Sequence, residues 1–441
     1  MKGTALFDLE AKFRRVQESG RFLRKGTVCR VVGLAIESQG PFAAVGELCH
    51  IVMPDGSRRP VEVVGFNQTS VFLMPLGELS GVSPGLTVTA EGRTMSVPVG
   101  KQFLGRVVNG LCQPVDGRGP IAHEAMAPLM ASPPAALSRP RITEILPLGV
   151  RAVDGPITCG RGQRIGVFGG SGAGKSTLLG MFAKFARSDV NVIALIGERG
   201  REVREFIERD LGAEGLRRSI VIVVTSDEAP LLRVKGAQAA CAMAEYFRDQ
   251  GGSVLLMLDS ITRICVAQRE IGLAIGEPPT TRGYTPSVFS NLPRLLERAG
   301  TSPKGSITGL FTILVEGDDM TEPVADSVRA ILDGHIVLSR ELAGANHYPA
   351  IDVLNSQSRL FLEIVKPEHR KAAGFLRNVM ASYHRARDLL DVGAYVTGSN
   401  PEVDRAIALW GKVQRFLQQV PEEHAQFEDT LKRLLELGGA A

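Results

Sequence analysis

Gly169-Gly170-Ser171-Gly172-Ala173-Gly174-Lys175-Ser176-Thr177 is the stretch that decides how this chain folds. It follows an apolar run, Arg164-Ile165-Gly166-Val167-Phe168, and opens a helical pattern, Thr177-Leu178-Leu179-Gly180-Met181-Phe182. G-x-x-x-x-G-K-[ST] between a strand and a helix is a phosphate-binding loop. Gly169, Gly170, Gly172 and Gly174, with Ser171 and Ala173 between them, let successive backbone N–H groups curl around phosphate oxygens. The helix end adds positive character. Lys175 is then expected on the β/γ phosphates and Ser176 on Mg²⁺, with Thr177 beside them, which makes ATP the expected ligand.

Outward from this loop, strand-like runs alternate with helical patterns between about 150 and 340. The runs are 164–167, 192–196, 220–224, 254–258, 307–315 and 335–338. Such alternation predicts an α/β core with a largely parallel sheet, whose ligands gather at the carboxyl ends of the strands. Val254-Leu255-Leu256-Met257-Leu258 ends in Asp259, which fits a carboxylate on the metal side of the nucleotide. An aspartate there can also cap the next helix, a task Ser260 could share. The strand ending at Ile196 runs into Gly197-Glu198-Arg199-Gly200-Arg201-Glu202. A carboxylate at that position can polarise a water opposite the γ-phosphate. Glu198 and Glu202 both qualify on residue type alone.

Farther upstream the texture changes. Four short β runs, 27–32, 48–53, 61–66 and 70–74, are divided by turn residues such as Asp55-Gly56, which predicts a small closed barrel. A proline-rich stretch from Pro120 to Pro147 reads as an extended connector. In residues 1–20, Leu6, Leu9, Phe13 and Val16 form one apolar helical stripe, suited either to packing on its own domain or to docking a partner. Beyond about 365 the pattern is helical.

Composition removes several classes. A 441-residue chain with 44% hydrophobic and 22% charged residues buries a sizeable core, which excludes wholesale disorder. A net charge of +4 is too small at this length for a dedicated nucleic-acid binder. No apolar run reaches the ~18 residues that span a bilayer. No secretory signal pattern is visible, and six scattered cysteines without a C-x-x-C pair speak against a zinc site or a disulfide framework. The expectation is a soluble cytosolic protein.

Several further motifs fix a resemblance. Gly197-Glu-Arg-Gly-Arg-Glu-Val203, Leu258-Asp-Ser-Ile-Thr-Arg263 and Gln268-Arg-Glu-Ile-Gly-Leu-Ala-Ile-Gly-Glu-Pro-Pro279 resemble the catalytic subunits of rotary-type ATPases. So do Tyr348-Pro-Ala-Ile-Asp352, Ser356-Gln-Ser-Arg359 and Gly105-Arg-Val-Val-Asn-Gly110. Within that group the chain is most similar to the flagellar protein-export ATPase family, with the injectisome type III secretion ATPases very near. The resemblance implies a RecA-like P-loop core at 96–365, preceded by a β-barrel domain at 21–95 and a partner-binding helix at 1–20. A C-terminal helical domain follows at 366–441. It implies Glu198 as the water-activating base, Arg199 and Arg263 on the phosphates, and Tyr348 stacked on adenine. Arg359 is implied as a finger that enters the neighbouring subunit's site. It further implies a homohexamer at the cytoplasmic face of an inner-membrane export apparatus. The implied partners are a regulatory stator-like protein at the N-terminal helix, a central stalk, an export gate and chaperone–cargo complexes, and no specific nucleic acid. Arg282, Thr285 and Asn109 depart from the family's usual Lys, Pro and Asp and touch none of the phosphate chemistry.

Rival readings are weaker. An ATP synthase catalytic subunit carries a strongly acidic C-terminal motif, whereas Tyr383-His-Arg-Ala-Arg-Asp388 is mixed in charge. An RNA-tracking hexameric motor needs exposed stacking aromatics on its barrel, and only Phe42, Phe66 and Phe72 are available. A nucleotide-binding scaffold has no use for Glu198 and Arg359 together.

Overall fold

β-branched residues spaced by turn signals build the first part of the molecule. The computed structural model describes residues 24–67, 70–315, 317 and 319–439, so the amphipathic stripe of residues 1–20 lies outside the described residues. The chain divides after Met95 into two compact units. In the first, β1 (Lys25–Val32), β2 (Ala35–Gln39), β3 (Glu47–Val52), β4 (Arg58–Asn67), β5 (Ser70–Pro75) and β6 (Thr87–Thr94) close a barrel in the order β1-β2-β5-β4-β3-β6. Asp55-Gly56 turns between β3 and β4, with Gly56 at φ +81°, a backbone region that favours glycine. Val28, Ile36, Ile51, Val63, Leu73 and Val88 fill the barrel. The sequence reading found four of the six strands. β2 and β6 escaped it because each turns only two or three small or apolar residues inward among Glu, Ser and Thr.

In the second unit β7 (Ser96–Val99) pairs with β9 (Ala125–Pro128) in a separate ribbon, so the proline-rich connector holds one short strand. The main sheet is built from β8 (Val107–Asn109), β10 (Arg164–Gly169), β11 (Val190–Glu198), β12 (Ser219–Thr225), β13 (Ser253–Asp259), β15 (Ser306–Leu314), β16 (Gly334–Leu338) and β17 (Ile351–Ser358). Its order is β17-β16-β10-β15-β13-β11-β12-β8, and β14 (Gly300–Thr301) adds a short hairpin to β15. All neighbours along this path run parallel except β17, which returns antiparallel to β16 at the edge. The strands are nearly continuous Val/Ile/Leu runs because helices cover both faces. β8 and β17 were not foreseen as strands. β8 is three residues long, and β17 carries Asp, Asn, Ser and Gln on an edge.

The helices that matter for the site are α1 (Lys175–Phe185), α2 (Pro230–Asp249), α3 (Ile261–Ala274) and α4 (Pro323–Ile331), followed by α5 (Pro367–Asp391), α6 (Pro401–Leu417) and α7 (Phe427–Gly439). Asn400 caps α6, its Oδ1 accepting from the N–H groups of Glu402 and Val403 ahead of a proline in the first turn. Leu376, Val379, Leu409, Val413 and Leu434 of these last helices share one apolar cluster with Leu178 and Phe182 of α1. No described helix is long and apolar enough to cross a membrane.

Candidate active site

Four central strands, β10-β15-β13-β11, bring the expected groups to one edge of the sheet. β10 delivers the phosphate loop, β13 ends in Asp259 and β11 ends in Glu198. At ~4.8 Å between strands, the two carboxylates begin about 10 and 14 Å from the loop strand, and side chains close the gap. Gly172 and Gly174 take φ of +81° and +85°, so the loop needs glycine at both places. A Cβ on Gly170 would lie 2.7 Å from Nε of Arg340, whose guanidinium therefore rests against the loop.

Lys175 Nζ donates to the Gly169 carbonyl oxygen at 3.0 Å, folded over its own loop. Burial pulls its pKa down to about 8, against the opposing charges of Asp259 and Glu198. Asp259 is buried and accepts from Thr312 Oγ1 at 2.5 Å. Burial raises its pKa, while that hydrogen bond and the cations Lys175 and Arg263 oppose the rise. Ser260, not Asp259, caps α3, accepting from the Arg263 N–H at 3.4 Å. The Asp259 carboxylate is thereby not used as a helix cap. The exposed hydroxyl of Ser176 and the buried carboxylate of Asp259 suit a hard cation that keeps most of its water and phosphate ligands. Thr177 Oγ1 instead lies 3.4 Å from Asp210.

Glu198 is half-buried and forms an ion pair with Arg263, Nε to Oε1 at 3.1 Å, and a hydrogen bond from Nη2 to Oε2 at 3.4 Å. Its pKa is nevertheless pushed up to about 8. Burial is the main cause, followed by a hydrogen bond to Glu202 and the charge of Asp259. Glu202 moves the opposite way, lowered chiefly by the hydrogen bond with Glu198. The pair thus separates into a proton holder deep in the site and an ionised partner at its rim. Arg199, expected at the phosphates, is exposed, and its backbone N–H is held by Glu202 at 3.4 Å.

Beside the loop opens a cavity of about 610 Å³. Leu178 and Met181 form one wall, Tyr348 and Pro349 another, and Gln418 to Pro421 close it. Tyr348 is 42% exposed, leaving a ring face free for a base. The segment 418–421 is a part of the site that the sequence reading missed. It lies more than 200 residues from the loop and carries no motif. Gln419 anchors it: its Oε1 accepts from the Arg151 N–H at 2.9 Å, and its Nε2 donates to the carbonyls of Gly149 and Glu423.

Arg359 stands elsewhere. It follows the last residue of β17, and Ser358 pairs with Gly334 at the start of β16. Because β16 runs parallel to β10, Arg359 lies at the amino edge of the sheet, whereas the phosphate loop is at the carboxyl edge. Five residue steps along β10 separate the two edges by about 17 Å. β17 therefore carries Tyr348 before one end and Arg359 after the other.

A phosphate loop, a strand-end aspartate and a half-buried glutamate gathered at one edge of a largely parallel sheet fit a nucleoside-triphosphate hydrolase core. Residues 149–358 match the nucleotide-binding domain of the ATP synthase alpha/beta family, and residues 28–92 match that family's β-barrel domain. Residues 365–436 match the C-terminal domain of the type III secretion ATPase EscN. The flagellum-specific ATP synthase of Bacillus subtilis is 49% identical over 96% of this chain and 97% of its own length. The type 3 secretion system ATPase of Sinorhizobium fredii is 50% identical, over 92% of this chain and 90% of its own. The assembled ATPase EscN from the enteropathogenic E. coli type III secretion system superposes with a TM-score of 0.88 at 43% identity, covering 94% of this chain and all of that one. EscN has also been solved with its central stalk EscO, at a TM-score of 0.86. The chain belongs to the ATP synthase alpha/beta family, in its branch of flagellum-specific and type III secretion ATPases.

Proposed function

We propose that this protein hydrolyses ATP in the cytoplasm to energise export of flagellar proteins through a type III secretion apparatus, as a closed homohexameric ring with each active site shared between two chains. The observation that carries the shared site is the position of Arg359, about 17 Å along the sheet from the phosphate loop of its own chain. A γ-phosphoryl in transfer needs more cation than Lys175 alone, and an arginine finger is worth ~10³-fold or more in rate. The finger therefore comes from the neighbour. The assembled state of EscN and its stalk complex support a ring with a central stalk. A stator-like partner at the N-terminal helix, an export gate and chaperone–cargo complexes at the membrane complete the reading.

Within the site, Lys175 leaves the Gly169 carbonyl for the incoming phosphates, and Tyr348 holds the base. Glu198, once it has lost its proton to solvent, accepts a proton from the attacking water as the water oxygen bonds to the γ-phosphorus and the bond from that phosphorus to the ADP oxygen breaks. Ser176 and Asp259 would hold Mg²⁺, which when bound neutralises charge on the β and γ oxygens. Arg263 holds Glu198 in place, and Arg199 is exposed at the rim to meet the phosphate charge.

Mixing two dead proteins tests the shared site. Lys175→Ala keeps its finger and Arg359→Ala keeps its phosphate loop, so a mixed interface contains every part. With subunit exchange shown by differently tagged chains, mixing restores ATP hydrolysis. Flat activity at every ratio refutes the model. An injectisome role is the second reading, favoured by the 50% identity to the Sinorhizobium fredii ATPase beside 49% to the Bacillus subtilis flagellar one. Deleting the gene and assaying the medium for flagellin against needle proteins separates the two.

A further inference from the structure

The finger of Arg359 has a built seat. Gln163, fully buried just before β10, spans three elements at the amino edge of the sheet. Its Nε2 donates to the Asp333 carbonyl oxygen at 3.0 Å and to Ser358 Oγ at 3.0 Å, and its Oε1 accepts from the Gly160 N–H at 2.8 Å. The same Asp333 carbonyl accepts from the backbone N–H of Arg359 at 2.9 Å. The Asp333 carboxylate is itself fixed: Oδ2 accepts from Arg164 Nε at 3.0 Å and from the Arg164 backbone N–H at 3.1 Å, and Oδ1 accepts from Arg164 Nη2 at 3.1 Å. Gly334 allows this approach, because a Cβ there would lie 2.6 Å from the Gln357 carbonyl oxygen and 3.1 Å from the Ser358 Cα. The guanidinium of Arg359 is then directed by one more backbone acceptor, the Arg329 carbonyl oxygen, at 3.1 Å.

We propose that Gln163 and Asp333 are positioning residues for Arg359, holding the finger in register for the neighbouring chain's active site. The inference rests on the shared-site reading above. The buried Gln163 amide reaches Ser358 directly and Arg359 through the shared Asp333 carbonyl. The Asp333 carboxylate clamps that loop to Arg164 at the start of β10. Together they make a heavier anchorage than a strand end needs to stay paired. Misplacing a catalytic group by about 1 Å can lower a rate by ~10²-fold, with little effect on substrate binding.

The test is a sorting of defects by complementation. Gln163→Leu is expected to lower kcat by about 10–100-fold while the KM for ATP and the binding of a fluorescent ATP analogue change less than about 2-fold, because its own phosphate loop is intact. Mixed with Lys175→Ala, which supplies a sound finger, Gln163→Leu regains activity. Mixed with Arg359→Ala, which also lacks one, it does not. Normal kcat, rescue by both partners, or rescue by neither overturns the proposal. Ser358→Ala removes the hydrogen bond from Gln163 Nε2 to Ser358 Oγ in the same seat, a smaller change, and carries the same test if Gln163→Leu does not fold. The Lys175→Ala with Arg359→Ala mixture serves as the reference. If that pair fails, the shared-site reading itself is at fault. If it succeeds while Gln163→Leu sorts with neither class, only the seat is refuted.

Discussion

Glu198 and Glu202 are shifted in opposite directions, Glu198 upward chiefly by burial and Glu202 downward chiefly by its hydrogen bond with Glu198. Glu198 has a folded pKa of about 8, above the ordinary carboxylate value. Its protonated form is favoured by the fold, so the contribution is full below about pH 4.5 and is lost as pH rises through about 8. Glu198→Gln fixes the neutral form permanently. Its melting temperature relative to the wild type is therefore expected to rise between pH 6 and pH 9, by a few degrees, in a thermal-shift series without nucleotide. A difference that stays constant over that range shows that Glu198 is already ionised. The same variant is expected to bind ATP normally and to lose kcat by about 10²–10⁴-fold, because the amide keeps the size but cannot take the proton. Glu202→Gln should keep most of its turnover, and a larger loss there than in Glu198→Gln would reverse the assignment.

Elements decide which parts of the site were legible beforehand. The strands that end in the phosphate loop, Asp259 and Glu198 are runs of buried aliphatic residues, so their gathering at one edge of the sheet could be read from pattern and position. The choice between Glu198 and Glu202 rests instead on the family resemblance. Asp259 and Ser260 show the limit of pattern, since either can cap a helix and only the hydrogen bond from the Arg263 N–H to Ser260 Oγ shows which one does. The cavity wall formed by residues 418–421 could not be read at all. It depends on a polar staple, Gln419 with Arg151 and Gly149, between segments far apart in sequence. Gln419→Ala removes three hydrogen bonds from this crossing, at about 1–3 kcal/mol. The KM for ATP is expected to rise several-fold with kcat little changed, along with a lower melting temperature. An unchanged KM would mean that Tyr348 and α1 hold the base without this wall. Tyr348→Ala should raise KM by about 5–100-fold, the worth of one base–aromatic stack.

For the molecule as a whole, the antiparallel return of β17 matters most. Had this edge strand run parallel to β16, Tyr348 and Arg359 would have exchanged edges. With the observed direction, one chain carries its phosphate loop and Tyr348 at one edge of the sheet and Arg359 at the other. On the proposed reading this gives each chain a nucleotide face and a finger on opposite sides. Such an interface is heterologous, repeating around a ring instead of pairing face to face. ATPase activity per chain is accordingly expected to climb with protein concentration and then level off, and the rise should track assembly measured by light scattering on the same samples. Turnover per chain that is independent of concentration, in samples shown to be monomeric, would contradict this.

Arithmetic follows from the two ends of β17. On the shared-site reading, a lone chain owns two half-sites and no whole one. A head-to-tail row of n chains completes n − 1 sites and always leaves one unmatched finger and one unmatched loop at its ends. Only closure brings the count to n. The last joint therefore adds a site without adding a chain, and a split ring forfeits one even though nothing has dissociated. Catalytic output thus registers closure as well as size. A partner that pries open a single joint would throttle the assembly by one part in n, whereas one that wedges alternate joints would halve it.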